Sequence, residues 1–160
     1  MNLTHAPLRA ATGAFILNSG LNKLNADEET AQQLHGFAST AYPQLQGVQP
    51  ATLTKVLGCG EVALGGALLF PKVPSALAGT ALAAFGAGLL NLYLQVPGMR
   101  KPGSLRPTEA GTPLAKDVWL VGAGTTLALQ GFFNGARRAG RKAAKKVSSA
   151  TESAHDALPI

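Results

Sequence analysis

One carboxylate, Glu61, lies near the middle of an otherwise apolar stretch, residues 53–70. An ionisable side chain at such a position in a membrane helix costs on the order of 3 kcal/mol on insertion scales, and by default it indicates a site for protons or substrates. It persists where other segments supply polar partners. Glu61 therefore predicts a bundle of helices around it. Two roles stay open, a proton or substrate site and a hydrogen-bonded residue that fixes the register of the helices.

The rest of the sequence contains the segments that such a bundle needs. The third of the apolar segments has no charge across 22 residues, more than the ~20 needed to cross a ~30 Å hydrocarbon core. A different pattern, residues 25–41, begins with three acids, which a helix N-terminus favours, and predicts a short helix at the membrane surface. The fold class predicted is all-α, a four-helix transmembrane bundle with this interfacial helix between spans 1 and 2. The four predicted spans are residues 8–24, 52–70, 75–96 and 113–133.

Basic residues are concentrated at the end of the chain. The net charge is +6, and six of the fourteen Lys and Arg residues lie in residues 137–146. A basic run beside an apolar segment indicates contact with anionic lipid, and we expect no nucleic-acid partner. We predict a membrane domain, residues 1–136, and a basic, partly disordered tail, residues 137–160. The positive-inside rule places both termini in the cytoplasm.

The helical rise of ~1.5 Å per residue converts sequence position into depth. Asn18, Glu61 and the pair Thr125 and Thr126 each fall roughly 13–15 Å from the cytoplasmic end of their spans. They are predicted to form one polar layer near the midplane. Arg9 begins at the cytoplasmic edge, and its long side chain is expected to approach Glu61 from below.

A second polar layer is predicted near the outer face. Lys23, Asn91 and Asp117 come to a similar height there. Arg100 and Arg106, in the adjacent loop, are expected to reach the same layer and to offer Asp117 an ion pair. Because Asp117 lies near water and near these cations, a structural role is favoured for it.

The sequence has no hydrolase triad, phosphate-binding loop, zinc-ligand spacing or dinucleotide-binding fingerprint. Its single cysteine, Cys59, excludes an intramolecular disulfide and a Cys-x-x-Cys centre. We interpret Cys59 as a small packing residue within its helix. The residues alone therefore indicate no metal site and no cofactor.

Four motifs in order resemble the DoxX family of small four-helix membrane proteins, in its actinobacterial form. The first span carries Arg9, Gly13, Phe15, Gly20 and Lys23-Leu24. The second carries Gly60-Glu61-Val-Ala-Leu-Gly65-Gly66. The loop Pro97-Gly-Met-Arg100-Lys-Pro-Gly-Ser-Leu-Arg106-Pro-Thr and the segment Leu114-Ala-Lys-Asp117-Val-Trp119 are similar to the family's loop and fourth helix. The resemblance covers residues 8–133 and leaves out the basic tail.

The resemblance implies an integral protein of the bacterial inner (plasma) membrane. Some members of the family are tied to thiosulfate:quinone oxidoreduction, and others are assembly partners of membrane oxidoreductases. It therefore implies a quinone, a membrane or peripheral redox partner, or both, and it marks Arg9, Glu61 and Asp117 as family-like polar positions. Two other functions stay open from the residues: a small proton-coupled transporter that uses Glu61, and a non-catalytic membrane scaffold.

Overall fold

A computed structural model of the chain describes residues 5–156, with side chains through residue 149. These residues form helices and loops, and the described part contains no strand. The all-α prediction is confirmed. A 3-10 turn, Pro43–Leu45, follows the second helix. In chain order the helices are α1 (Ala6–Leu24), α2 (Glu28–Ala41), α3 (Pro50–Leu69), α4 (Ser75–Gln95), α5 (Thr112–Ala115) and α6 (Val118–Asp156).

Two helices in the described part of the chain, α3 and α4, are long and apolar enough to cross a membrane. This statement concerns length and composition, and the core helix of a soluble protein can satisfy it as well. Neither α1 nor α6 meets the same measure. The four-span bundle therefore stays a prediction.

Glycines hold α1 against α3 in an antiparallel pair. A Cβ added at Gly65 would lie 2.6 Å from the backbone nitrogen of Leu17 and 2.8 Å from the Gly13 carbonyl oxygen. A Cβ at Gly20 would lie 2.7 Å from the Gly58 carbonyl oxygen. The two backbones can approach this closely only because side chains are missing at the contact, as in small-residue packing of membrane helices.

A second antiparallel pair, α4 with α6, is built in the same way. Gly79 and Gly124 face each other, and a Cβ added at Gly79 would lie 2.7 Å from the Gly124 carbonyl oxygen. Gly124 also meets the backbone of Ala83, and Gly86 meets Leu120. Gly79, Ala83 and Gly86 thus form a face of small residues on α4 that packs against α6.

An apolar core joins the two pairs. Ile16 and Leu68 come from the first pair, and Leu82 and Leu127 come from the second, and all four side chains are fully buried. Leu8 and Phe85 pack around them. The four long helices therefore form one bundle.

The interfacial segment forms a helix with the predicted start. Asp27 precedes α2, and its Oδ1 accepts a hydrogen bond of 2.9 Å from the backbone N–H of Thr30. This is an N-cap, which satisfies one of the amide groups that a helix leaves unpaired at its start. Hydrogen bonding by Thr30 lowers the pKa of the Asp27 carboxyl from its ordinary value. The charged form of Asp27 is thus the one that caps α2.

The basic tail differs in structure from the expectation. It continues α6 without a break, so this helix runs for 39 residues and is about 58 Å long at ~1.5 Å per residue. The reason is local, because residues 134–146 consist largely of Ala, Arg and Lys, which favour helix, and contain no proline. The last four residues of the predicted tail, 157–160, lie outside the described residues.

The loop between α4 and α5 has a fixed shape. Tyr93 donates a hydrogen bond of 2.6 Å to the Leu105 carbonyl oxygen, and Thr108 donates one of 2.6 Å to the Gly98 carbonyl oxygen. Gly98 has a φ of +83°, a left-handed conformation that favours glycine. The loop thereby directs the chain into α5 and places Asp117 at the start of α6.

Candidate functional site

The Glu61 side chain forms an ion pair with Lys23. The Nζ of Lys23 lies 3.0 Å from Oε2 of Glu61 and also donates a hydrogen bond of 2.9 Å to Oγ of Ser19. The Glu61 side chain is 4% exposed and that of Lys23 is 23% exposed. The polar partner that an acid in an apolar helix requires is therefore supplied by α1.

Lys23 reaches Glu61 because of the direction in which helical side chains extend. It lies one residue before the end of α1, and long side chains on a helix point back toward its N-terminus. The bond to Ser19 shows that Lys23 reaches back by one turn. Gly20 lies in this last part of α1 and contacts α3 at Glu61, where a Cβ added to Gly20 would lie 2.9 Å from the Cβ of Glu61. This contact places the Ser19–Lys23 turn at the level of the Glu61 carboxylate.

This ion pair lies at the wall of a cavity of about 640 Å³ between the two helix pairs. Most of the lining side chains are apolar, and α2 and α5 contribute along with the four long helices. A large apolar cavity with a few polar groups is the usual form of a small-molecule site. The apolar lining includes Phe15, Leu34, Phe37, Leu57, Phe85 and Leu92.

Asp117 is a second carboxylate in the same cavity. It is the residue directly before α6, whose N-terminal partial positive charge favours a negative group. No hydrogen bond or ion pair to its side chain is present among the described residues. Among the described residues that line the cavity, Lys23 is the one cationic side chain, beside the two carboxylates Glu61 and Asp117.

Arg9 contacts the end of α3 and the turn that follows, in place of the expected approach to Glu61. Its guanidinium donates to the carbonyl oxygens of Leu68 at 2.7 Å, Ala67 at 2.8 Å, Phe70 at 2.9 Å and Val73 at 2.9 Å. The residue is 2% exposed. The last carbonyl groups of a helix have no partner within it, and they bind the cation before it can extend to the level of Glu61.

The other members of the predicted midplane layer lie on the surface of the bundle. Asn18, Thr125 and Thr126 are exposed, and Thr126 donates its hydroxyl hydrogen bond to Gly122 within its own helix. The structure brings none of these three to the cavity wall beside Glu61. The depth of a residue along its helix does not determine which side of the helix it lies on. These three residues lie on the outward sides of α1 and α6.

The predicted outer layer is divided in the structure. Lys23 and Asp117 line the cavity, whereas Asn91, which is partly buried, and Arg100 and Arg106, which are exposed, do not. Arg100 donates a hydrogen bond of 2.8 Å to the Leu94 carbonyl oxygen at the end of α4. The expected ion pair between these arginines and Asp117 is not formed, because Arg100 binds the end of α4 and both side chains are exposed, away from the cavity.

Sequence reasoning missed two cavity residues with polar groups. Ser19 supports the Lys23 ammonium group, and Tyr42 donates a hydrogen bond of 3.1 Å to the Gly88 carbonyl oxygen across the cavity. The spacing of Ser19 and Lys23, four residues apart on a helix, is the signal that could have identified the first. Cys59, interpreted as a packing residue, is exposed on α3.

The described residues contain no group of three or more His, Cys, Asp and Glu side chains that could hold a metal ion. The donor set of the cavity suits an organic molecule, because an apolar lining surrounds a small polar cluster. The chemistry of this lining is compatible with the quinone that the resemblance implies, because a quinone combines an apolar body with oxygens that accept hydrogen bonds. No protein-family model, curated protein or solved structure matches this chain.

Proposed function

We propose that this protein is a DoxX-like integral membrane protein that serves as a subunit or assembly partner of a membrane-associated oxidoreductase, with a quinone as the lipophilic redox molecule. The motifs in residues 8–133 support the family. The observation that carries the proposal is the apolar cavity with the Lys23–Glu61 ion pair in its wall. A quinone suits such a site because its hydrophobic tail matches the apolar lining and its carbonyl oxygens can accept hydrogen bonds from the Lys23 ammonium group.

The outer surface of the bundle supports a location in the bilayer. Large apolar side chains are exposed on each of the four long helices, and extended exposed apolar surface marks contact with a protein partner or a membrane. In the proposed arrangement, four spans cross the bacterial inner membrane and both termini are cytoplasmic. The exposed side chains include Val56 on α3, Leu77 on α4, and Trp119, Leu129 and Phe132 on α6.

Cys59 allows a direct test of this location. It is the single cysteine, it is exposed on α3, and it lies about 14 Å along the helix from Pro50 at ~1.5 Å per residue. If α3 spans the bilayer, a membrane-impermeant maleimide added to either side of sealed vesicles leaves Cys59 unmodified, whereas denaturation in SDS exposes it fully. We expect less than about a tenth of the SDS labelling in intact vesicles, because lipid covers the thiol.

The positive control for this labelling is Lys101→Cys in a Cys59→Ser background, since residue 101 is exposed in the loop after α4. This variant is expected to label rapidly from one side of the vesicle. Rapid labelling of Cys59 in intact vesicles would place it in water and contradict the proposed spans.

The redox assignment is tested by purification of the full chain from its native membrane in mild detergent. Mass spectrometry of the purified material is expected to identify a stoichiometric oxidoreductase partner and extractable quinone. A partner without quinone would favour the scaffold function. The chain alone, with neither partner nor quinone, would contradict the redox proposal.

A proton-coupled transporter is the second candidate, favoured by the position of the Lys23–Glu61 pair and Asp117 in one cavity. In proteoliposomes with a pH gradient, this function requires proton flux that Glu61→Gln abolishes while Glu109→Gln, an exposed acid in the loop, leaves it unchanged. Absence of flux in the unmodified protein would remove this candidate.

A further inference from the structure

The end of α6 extends beyond the bundle. Gly131 still packs on α4, because a Cβ added there would meet the backbone of Ala76 near the start of that helix. Every residue from 135 to 149 is exposed, and α6 continues to Asp156. This part of α6 is therefore a helix that projects from the bundle.

Six basic side chains lie on one half of this projecting helix. They occur as three pairs of neighbours, four residues apart, and at ~100° per residue this spacing covers an arc of ~180°. The other half of the same stretch is alanine and glycine, at residues 139–140 and 143–144. We call the six residues the basic stripe: Arg137, Arg138, Arg141, Lys142, Lys145 and Lys146.

The charge of the basic stripe is not neutralised within the described part of the chain. None of its six side chains forms a hydrogen bond or an ion pair among the described residues. Of the acids whose side chains are described, Glu61 lies within α3, and the others lie at the opposite end of the bundle, where α1 and α4 end. A surface of one charge sign attracts a partner of the opposite sign. The acids at the opposite end are Asp27, Glu28, Glu29, Glu109 and Asp117.

The length of the projection limits how much of the basic stripe lipid can attract. Phe133 is the last exposed aromatic residue of α6, and Lys145 and Lys146 lie about 18 and 20 Å beyond it at ~1.5 Å per residue. The head-group layer of a bilayer takes up roughly 5–8 Å of this distance. The remaining 10 Å or more exceeds the Debye length of ~8 Å at physiological salt. Anionic lipid therefore attracts Arg137 and Arg138, and the far end of the stripe is screened from it.

The composition of the projecting helix also argues against a position flat on the membrane. Helices that lie in the lipid interface bury bulky side chains such as Trp, Phe and Leu opposite their cations. The half of the helix opposite the basic stripe has alanine and glycine instead. Because α6 also runs without a break into this segment, it keeps the direction that α6 has in the bundle.

We propose that the basic stripe is a docking surface for an acidic helical segment of a protein on the cytoplasmic side of the membrane. Carboxylates at the spacing of the stripe face its cations, and charge complementarity of this kind selects the partner and sets its register. This inference deepens the proposed function, because it gives the chemistry of the assembly partner, and it rests on that function for the position of α6 in the bilayer.

The test uses two alanine-rich peptides, each long enough to be helical in water, with six glutamates. One peptide has its glutamates at the spacing of the basic stripe, and the other has them spread around the helix. Binding to the full chain is measured in nanodiscs of phosphatidylcholine. We expect the matched peptide to bind roughly tenfold more tightly, since exposed ion pairs are individually weak and about three of them separate the two peptides.

Two triple variants locate the binding. Changing Lys142, Lys145 and Lys146 to Gln is expected to weaken binding of the matched peptide roughly tenfold. The control changes three exposed lysines at the opposite end of the bundle to Gln and removes the same charge, and we expect less than about a twofold effect from it because these positions are remote from the stripe. The control positions are Lys55, Lys101 and Lys116.

The same measurement in nanodiscs that contain phosphatidylglycerol separates a protein partner from lipid. Repulsion by this lipid weakens both peptides, so the ratio of their affinities is compared. We expect the ratio to persist, because the far end of the basic stripe stays in water. Loss of the ratio would show that lipid occupies the stripe and would overturn the inference.

Equal binding of the two peptides in phosphatidylcholine would also overturn it, as would equal effects of the two triple variants. The first of these results and the lipid comparison come from the unmodified protein and do not depend on the folding of a variant. The copurification experiment decides the redox assignment separately. A matched-peptide preference without an oxidoreductase partner would keep the docking surface and remove the redox function.

Discussion

Arg9→Leu is expected to lower the free energy of unfolding by about 1.5–3 kcal/mol, the range for hydrogen bonds that involve a charged group. The guanidinium is 2% exposed and donates to four carbonyl oxygens at the end of α3 and in the turn before α4. It also donates to Oγ of Ser75 at 3.2 Å. Loss of the side chain removes this donor from all four carbonyl groups, of which the Phe70 oxygen still accepts a hydrogen bond from the Val73 N–H. Unfolding of the purified protein by SDS titration, followed by circular dichroism, measures the change.

Two other variants show that the effect comes from the geometry of the guanidinium. Arg9→Lys keeps the charge, but a compact ammonium group with three donors cannot reach acceptors arranged around a planar fork, so we expect most of the loss to remain. Arg100→Leu removes an exposed arginine that makes one bond at the end of α4, and it is expected to cost less than about 1 kcal/mol. Equal losses for Arg9→Leu and Arg100→Leu would contradict the assigned role of Arg9.

Gly124→Ala is expected to destabilise the bundle by about 1–3 kcal/mol, because it forces a methyl group into a contact between two backbones. The added Cβ would meet the backbone nitrogen of Ala83 and would lie 2.7 Å from the Gly79 carbonyl oxygen. Neither atom belongs to a flexible side chain, so α4 and α6 must separate. The thermal midpoint of unfolding in detergent is expected to fall accordingly.

Gly122→Ala provides the matched control, two residues away on the same helix. A Cβ at Gly122 would meet nothing within 4 Å. Since alanine favours a helix over glycine by up to ~1 kcal/mol, this variant is expected to be neutral or slightly more stable. A result in which both variants lose stability equally would show that α4 and α6 are not packed at Gly124.

The sequence by itself determined the helical class and most helix positions. Apolar segments separated by proline-containing turns predicted α3 and α4, and the acids around Asp27 predicted the start of α2. These features follow from local propensity and capping, which depend on residues close in the chain. The same local reasoning predicted partial disorder for the tail, whereas α6 continues to Asp156, because Ala, Arg and Lys are also good helix formers.

Only the tertiary structure decided which residues surround Glu61. Depth along each helix placed Asn18 and Thr125 beside it, but both lie on the outer surface, while Lys23, assigned to another depth, forms the ion pair. The rotation of an apolar helix is hard to obtain from its sequence because its exposed side and its core-facing side can carry similar apolar residues, as Val56 and Leu68 do on α3.

Two adjacent glycines of α3 also show that the sequence does not reveal which side of a helix is packed. A Cβ added at Gly65 would lie 2.6 Å from the backbone nitrogen of Leu17 in α1, whereas a Cβ added at Gly66 would meet nothing within 4 Å. The sequence alone does not distinguish these two neighbouring glycines. The many glycines in the sequence allow these helices to approach closely. Which side of each helix makes the contact is decided by the packed structure, because the rotation of a helix depends on neighbours that are far away in the chain.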